Sequence, residues 1–445
     1  MKILSSSKVL NLIKKINNPI FTLSFFFTGI TGGVKLLQFL LFSQLAKSLG
    51  SELFGLFGLL YTYQVTVNTF SIAGIIEKLP SQYIHLESET EKEKLFKTTN
   101  VLFIVIAFFS ALGTFLYSCL DTEINKHLDL VAYTILTGAI LAFTNIQSTY
   151  FRFSHRYVAS VLTTNLPLFL SLVSIFIANI YTNDLKLIII IGLIGSVGGL
   201  IVLTLFRLSY GFKIPTKKNV YSEFKIIWPF LIVAIFSLFS GYGINFIISS
   251  QLNLSDVGVF TFFVTISSIM HLLANSMNLV WSPHFFELYK SSNIDEVNKK
   301  NKKFYTNQAW VLFIAGILIN VFFKVYEAQF PDYKDHLFML PFLFAAYICN
   351  ISWYMNTNYY IVNASSKRLT SIVVISGLLG MTTIFICIYF FRAHGIYIGF
   401  LISYLIKSIM IGLDGKRQWK SDVPWGLIIL LMLLMIGVGY LLFVV

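Results

Sequence analysis

Apolar runs of about 20 residues recur along the whole sequence, with charged stretches between them. A helix of this length and composition is long enough to cross the hydrocarbon core of a bilayer. The composition agrees, because the 445 residues are 56% hydrophobic and only 12% charged. That charged fraction is about half of the usual value for a soluble domain. The sequence therefore predicts an all-α polytopic membrane protein.

The apolar windows and the charged breaks between them predict about 12–13 transmembrane helices. Helices are expected because an open sheet or an irregular chain would leave backbone polar groups unsatisfied in lipid. The predicted spans are 20–46, 53–77, 97–119, 129–151, 157–181, 185–208, 226–250, 257–282, 304–326, 336–361, 368–391, 394–413 and 424–445.

The basic residues are distributed unevenly between the two sides of these spans. With the N terminus in the cytoplasm, 25 of the 33 Lys and Arg residues fall on the cytoplasmic side, as positive residues usually do. The net charge of +13 is then explained by basic loops that face anionic membrane lipids, and no nucleic acid partner is expected. The three cysteines are scattered without metal-ligand spacing, and no cofactor or metal is expected.

Two stretches of the chain resemble each other. "LGSELFGLFGLLYTYQVTVN" (49–68) and "LNLSDVGVFTFFVTISSIMH" (252–271) align without gaps, so that Gly55 meets Gly258 and Thr62 meets Thr265. Six predicted spans separate the copies, which favours parallel repeats around an axis along the membrane normal. The sequence thus predicts two six-helix lobes around a central cavity. The predicted segments are a basic N-terminal segment (1–19), an N-lobe (20–208), a cytoplasmic linker (209–225), a C-lobe (226–413) and an extra C-terminal helix (424–445).

Polar residues recur at helical spacing inside several spans, and they mark faces turned toward protein or water. Lys35 is the most informative, because a lysine at mid-span costs about 2.5–3.5 kcal/mol on insertion scales. None of the predicted spans contains an acidic residue that could neutralise the charge of Lys35. The candidate cavity residues for substrate binding are Lys35, Gln38, Gln64, Asn68, Asn245, His271, Asn275, Asn278 and Lys407.

The amide and histidine side chains also have a purely structural interpretation, since polar residues hold transmembrane helices together. The polar span 336–361 also has a functional and a structural interpretation: its polar residues either contact a sugar or form a hydrogen-bond network between helices. The residues concerned are Asn350, Trp353, Tyr354, Asn356 and Asn358.

Three stretches carry a resemblance to a known family: "LAKSLGSELFGLFGLLYTYQ" (45–64), "YFRFSHRYVASVL" (150–162) and "NASSKRLTSIVV" (363–374). They resemble turns of polysaccharide-export flippases in the multidrug/oligosaccharidyl-lipid/polysaccharide exporter superfamily, especially O-antigen (Wzx-type) flippases. The resemblance implies a transporter of the bacterial inner membrane that acts in lipopolysaccharide biosynthesis. Its cationic cavity would carry undecaprenyl-diphosphate-linked oligosaccharide to the periplasmic leaflet by alternating access. A polymerase and a chain-length regulator of the same pathway are the implied protein partners.

Two other functions compete with this expectation. A drug/cation antiporter of the same superfamily would need a carboxylate within the membrane, and all 20 acidic residues are assigned to loops or span ends. A membrane enzyme of polysaccharide assembly (a polymerase, a glycosyltransferase or an O-acyltransferase using His271) would need more than the short predicted outside loops. We therefore expect a transporter and no catalytic residues. His271 protonation, the membrane potential and the substrate gradient remain alternative energy sources.

Overall fold

The structure is a computed structural model of the chain. Residues 1–18 of the predicted N-terminal segment and the predicted linker 209–225 lie outside the residues that it describes. The described residues are 19–76, 79, 83, 86–121, 123–154, 156–205, 227–228, 231–236, 238–239, 241–291, 293–363 and 366–444.

The described residues form twelve α-helices and no strand, which confirms the predicted all-α class. We number them in chain order: α1 Pro19–Ile72, α2 Glu89–Leu120, α3 Leu128–Phe153, α4 Tyr157–Tyr181, α5 Leu185–Leu205, α6 Ile244–Gln251, α7 Leu254–Ser291, α8 Ile294–Val325, α9 Leu340–Cys349, α10 Ile351–Val362, α11 Ser366–Trp419 and α12 Trp425–Phe443. We call α1–α5 the N-terminal helix group and α6–α12 the C-terminal helix group.

Nine helical stretches in the described part of the chain are long and apolar enough to cross a membrane. They carry apolar faces that none of the described residues covers. On α2, for example, Val105, Phe108, Phe109, Leu112 and Leu116 are exposed at helical spacing. Such a continuous apolar stripe is stable against lipid and unstable against water. The chain is therefore a multi-pass membrane protein.

Two of the longest helices are each broken into two arms by one residue in the left-handed region. Gly50 (φ 74°) interrupts α1 between the predicted spans 20–46 and 53–77, and Arg392 (φ 52°) interrupts α11 between 368–391 and 394–413. A residue far away in the sequence caps the helix arm that follows Gly50, because the backbone N–H of Ser51 donates to Asp332 Oδ2 at 3.2 Å. A carboxylate at the start of a helix arm satisfies a free N–H and the positive end of the helix dipole.

The predicted span 226–250 is not one continuous helix. A turn at residues 241–243 precedes the short helix α6, and the N–H groups of Gly241 and Gly243 both donate to the carbonyl oxygen of Leu238. The prediction of a full-length helix was wrong here because apolar character alone does not show where the backbone turns. Gly243 is needed for space in this turn, because a methyl group there would lie 2.8 Å from the carbonyl oxygen of Leu238.

The predicted extra C-terminal helix corresponds to α12, which packs on α8 and α9. Small residues permit the close approach: a methyl group at Gly439 would lie 2.0 Å from Pro341 Cγ, and one at Gly316 would lie 2.5 Å from Met435 Cε. Its opposite face exposes leucines such as Leu433 and Leu441. The helix is thus an integral outer wall of the C-terminal helix group.

The two helix groups contact each other closely where α1 crosses α7 at aligned glycines of the repeat. A methyl group at Gly55 would lie 1.8 Å from the carbonyl oxygen of Leu254, and one at Gly258 would lie 2.0 Å from that of Ser51. These four residues are two aligned pairs, so each helix meets the other through equivalent positions. A two-fold relation between the repeats requires such an exchange of contacts, which supports the alignment.

Replacing either glycine of this crossing should weaken the protein. We expect Gly55→Ala and Gly258→Ala each to lower the melting temperature in detergent, because the added methyl group forces two backbones apart at a cost of about 1–3 kcal/mol or more. The matched control is Gly113→Ala on α2, where a methyl group meets nothing within 4 Å. Equal melting temperatures for all three variants would contradict the close crossing.

Candidate functional site

A cavity of about 300 Å³ lies within the N-terminal helix group, between α1, α3 and α4. We call it the N-terminal cavity. Its volume is at the lower end of the range for small-molecule sites in proteins. Its lining is unusually polar for the interior of a membrane protein, with one lysine and several amide and hydroxyl groups. The lining residues are Thr31, Val34, Lys35, Tyr61, Gln64, Val65, Asn68, Thr69, Leu141, Asn145, Thr164, Asn165 and Leu168.

Lys35 is the one charged residue of this lining. Its Nζ donates to Gln38 Oε1 at 3.0 Å, and Gln38 Nε2 in turn donates to the hydroxyl of Tyr61 at 2.7 Å. Within the described part of the chain, Lys35 has no carboxylate partner. An ammonium group carries three N–H donors, so two remain for a ligand after the bond to Gln38. The side chain is exposed to the cavity, whereas Gln38 is buried behind it.

The helix α1 aligns these groups because of its periodicity. Lys35 and Gln38 are three residues apart, as are Tyr61 and Gln64, so each pair shares one face of its arm. The kink at Gly50 turns the second arm back beside the first. As a result, the two arms present Lys35 and Gln64 to the same cavity.

Three amides of the cavity have no hydrogen-bond partner among the described residues. The side chains of Gln64, Asn68 and Asn145 make no hydrogen bond to any other described residue. All three are half-buried and line the space that Lys35 also lines. A buried amide without a partner costs free energy, so such groups are stable only where water or a ligand reaches them. The N-terminal cavity is therefore a site that accepts water or a polar ligand.

A second cationic patch lies on the C-terminal helix group. Lys407 Nζ sits 4.0 Å from the centre of the Trp353 ring, which holds the ammonium group by a cation–π contact. The imidazole of His271 forms a 2.7 Å hydrogen bond between its Nδ1 and the hydroxyl of Tyr354. Trp353 and Tyr354 are neighbours on α10, so the two predicted site residues Lys407 and His271 share one region of the C-terminal helix group.

The predicted site residues on α7 differ in whether their side chains already form hydrogen bonds with other protein groups. Asn275 is exposed and has no hydrogen-bond partner among the described residues. Asn278, one turn further on, accepts hydrogen bonds from the hydroxyl of Tyr305 at 2.6 Å and from Asn358 Nδ2 at 3.2 Å. Ser282 extends this network by donating to Asn358 Oδ1. The polar span around Asn358 thus forms a network between helices at this point.

Asn245 lies outside the cavity. Its side chain is fully buried between α1 and α7, where Nδ2 donates to Thr62 Oγ1 at 2.9 Å and to Thr261 Oγ1 at 3.0 Å. This placement gives it a role in joining the two helix groups. The helical spacing of its polar stripe indicated a shared face, but that face meets protein and not the cavity.

Asn145, Thr164 and Asn165 are cavity residues that the sequence did not single out. They lie on α3 and α4. A nearby amide of α3 pairs with a neighbouring helix instead, since Gln147 Nε2 donates to Asn100 Oδ1 of α2 at 2.9 Å. Asn145 and Gln147 are only two positions apart and look alike in sequence. No pattern within one helix distinguishes the amide that lines the cavity from the one that pairs with a neighbour.

A family model described as "Polysaccharide biosynthesis protein" matches residues 23–289 of the chain. No curated protein sequence is similar enough to count as a match. Among solved structures, an inward-facing multidrug resistance MATE family transporter of the MOP superfamily aligns with a TM-score of 0.64 at 13% identity, covering 88% of this chain and 98% of that one. The lipid II flippase MurJ, in an inward closed conformation, aligns with a TM-score of 0.64 at 15% identity, covering 94% and 97%.

The family model confirms the predicted resemblance to a polysaccharide family. At 13% and 15% identity, the solved structures show a shared fold, which is that of membrane transporters and flippases. The family model extends from α1 into α7, so it includes the whole lining of the N-terminal cavity.

Water access to the cavity can be measured with introduced cysteines. In a variant without its three native cysteines, we expect Gln64→Cys and Asn145→Cys to react with a membrane-impermeant maleimide, because a thiol in water ionises. Phe108→Cys is the control, because Phe108 is 62% exposed but on the lipid face of α2. If Phe108→Cys reacted as fast as the two cavity positions, the cavity would not be the route of water.

Proposed function

The chain belongs to the polysaccharide biosynthesis protein family, and we propose that it is a lipid-linked oligosaccharide flippase. Its substrate is undecaprenyl-diphosphate carrying an O-antigen unit or a similar polysaccharide unit. The protein moves this lipid from the cytoplasmic to the periplasmic leaflet of the bacterial inner membrane by alternating access, with its N terminus in the cytoplasm. A polymerase and a chain-length regulator of the same pathway act on the product.

The observation that carries this proposal is that Lys35 lines a polar cavity and has no carboxylate partner among the described residues. A diphosphate is the part of the substrate that most resists entry into a membrane, because it is charged. An ammonium group about 4 Å from a phosphate oxygen gains about 4 kcal/mol at an effective dielectric constant near 20, before desolvation costs. The bond to Gln38 holds the ammonium group in place without neutralising it, so its charge stays available to the anion.

Lys407 supports the same function from the other helix group. Its ammonium group rests on the ring of Trp353, a neutral partner that leaves its charge uncompensated. Two lysines from opposite helix groups can contact one diphosphate in turn while the groups move relative to each other. This fits alternating access between two repeats around a fixed site, with the α1–α7 crossing as the contact that joins them.

The charge of the lining also argues against exchange of an organic cation. A cation site in the membrane needs a carboxylate, and the lining of the N-terminal cavity contains no Asp or Glu. A lone lysine in the same space would repel a cationic drug. The MATE transporter thus shares the fold with this chain, while the electrostatics of the cavity favour an anionic substrate.

The proposal predicts that transport depends on the charge of Lys35. In cells that lack their own copy of the gene, Lys35→Ala is expected to reduce surface polysaccharide by more than about tenfold, since the lost attraction exceeds 1.4 kcal/mol. Lys35→Arg should retain much of the activity because it keeps the charge. Surface polysaccharide is measured by immunoblotting, together with the amount of flippase in the membrane.

Lys47→Gln is the matched control, because Lys47 is an exposed lysine on the same arm of α1 but outside the cavity. It should leave the surface polysaccharide unchanged. Normal surface polysaccharide in the Lys35→Ala variant would contradict the proposed role of Lys35.

A further inference from the structure

The N-terminal cavity has more hydrogen-bonding capacity than an anion uses. An anion accepts hydrogen bonds, and Lys35 alone offers donors with a full charge. Gln64, Asn68 and Asn145 each offer two N–H donors and one carbonyl acceptor, and none of these groups is used within the described protein. A ligand that fills these three amides must therefore both donate and accept hydrogen bonds at several points.

We propose that Gln64, Asn68 and Asn145 form a binding subsite for one neutral sugar residue, next to the phosphate-binding Lys35. The inference rests on the proposed function, because the sugar is the one attached to the diphosphate of the transported lipid. The hydroxyl groups of a sugar donate and accept, and an amide matches two neighbouring hydroxyls with one donor and one acceptor. An N-acetyl group offers the same combination.

The charges of the lining decide between sugar classes. A positively charged amino sugar would need a carboxylate, and the lining contains none. A second anionic group, such as a uronic acid, would leave the carbonyl oxygens of the amides without a donor and would have no cation of its own while Lys35 is occupied by phosphate. A neutral hexose or an N-acetylhexosamine avoids both penalties.

Helix packing explains why these amides converge. A methyl group at Gly138 of α3 would lie 2.5 Å from the carbonyl oxygen of Gln64, so α3 and the second arm of α1 touch at this point. Asn145 follows Gly138 by seven residues, or two helical turns, and lies on the same face of α3. Asn68 follows Gln64 by one turn on α1. The three amides thus line the cavity next to the point where α3 contacts the second arm of α1.

The cavity also provides an apolar surface and a limited volume. The ring of Tyr61 belongs to the lining, and its hydroxyl is already held by Gln38. An aromatic ring beside a few polar groups is the usual composition of a small-molecule site. A volume of about 300 Å³ suits one sugar residue and not a long oligosaccharide. The subsite therefore binds the sugar residue nearest the diphosphate and does not contact the rest of the oligosaccharide.

The C-terminal helix group does not offer an equivalent subsite at its asparagine network. Asn278 and Asn358 bond to each other and to Tyr305 or Ser282. A sugar would have to break these bonds before forming its own, with little net gain. Asn278 and Asn358 are already bonded, whereas Gln64, Asn68 and Asn145 have no partner among the described residues, which favours the N-terminal cavity over this network for sugar recognition.

The test is equilibrium binding of defined lipids to the protein in nanodiscs. The probes are undecaprenyl diphosphate, and the same lipid bearing one N-acetylglucosamine or one galactose residue. Wild-type protein is expected to bind at least one of the two glycosylated lipids about tenfold more tightly than undecaprenyl diphosphate, as two additional hydrogen bonds would give. Gln64→Leu and Asn145→Leu should each remove most of this sugar-dependent ratio.

The ratio of two dissociation constants does not depend on the fraction of folded protein, so partial misfolding of a variant leaves the test valid. Asn320→Leu is the control: it replaces a fully buried asparagine of the C-terminal helix group, whose amide contacts Met435 Sδ, and it should keep the wild-type ratio. A wild-type ratio of one for both sugars, or an unchanged ratio in Gln64→Leu and Asn145→Leu, would overturn the subsite.

Failure of the proposed function has a different signature. Lys35→Gln is expected to weaken the binding of all three probes by a similar factor, because each contains the diphosphate. If undecaprenyl diphosphate bound no better than undecaprenol, the flippase proposal would fail, whatever the sugar-dependent ratio. A lost ratio with retained diphosphate binding refutes only the sugar subsite.

Discussion

The close crossing of α1 and α7 is the contact on which the rest of the structure depends. At Gly55 and Gly258 the two helices approach until a single methyl group on either would collide with a backbone carbonyl. Membrane helices lack a hydrophobic force that drives them together, so small residues and hydrogen bonds must join them. Asn245 supplies such bonds beside the glycines, to Thr62 and Thr261. The crossing thus joins the second arm of α1 in the N-terminal helix group to α7 in the C-terminal helix group.

Polar groups among the described residues differ in whether they have a protein partner. Some pair inside a helix group, as Gln147 does with Asn100, and these bonds stabilise packing. In the N-terminal cavity the side chains of Gln64, Asn68 and Asn145 have no partner among the described residues, and they line the same space as the ammonium group of Lys35. Removing such groups from water without a partner is costly, and their retention is explained by a ligand that restores the missing bonds. The unpaired groups of the cavity thus lower the stability of the folded protein and are available to bind a ligand.

The fold class and the family were predictable from sequence because they depend on repeated, long-range patterns. The aligned glycines of the repeat were also found, and the structure places them at the crossing of α1 and α7. Helical spacing placed Lys35 and Gln64 on polar faces, and both line the cavity. Spacing did not reveal that Asn245 faces another helix or that Asn145 faces the cavity, because periodicity shows which residues share a face and not what that face meets.

The most direct test is a flipping assay with purified protein in liposomes. The probe is undecaprenyl diphosphate bearing one fluorescent sugar residue, placed in both leaflets, and a membrane-impermeant quencher reports the fraction exposed outside. Active flippase is predicted to make nearly all of the probe accessible to the quencher, whereas Lys35→Ala liposomes should expose only the outer half. The same liposomes should not accumulate ethidium, a cationic drug. Ethidium transport without movement of the lipid would contradict the account.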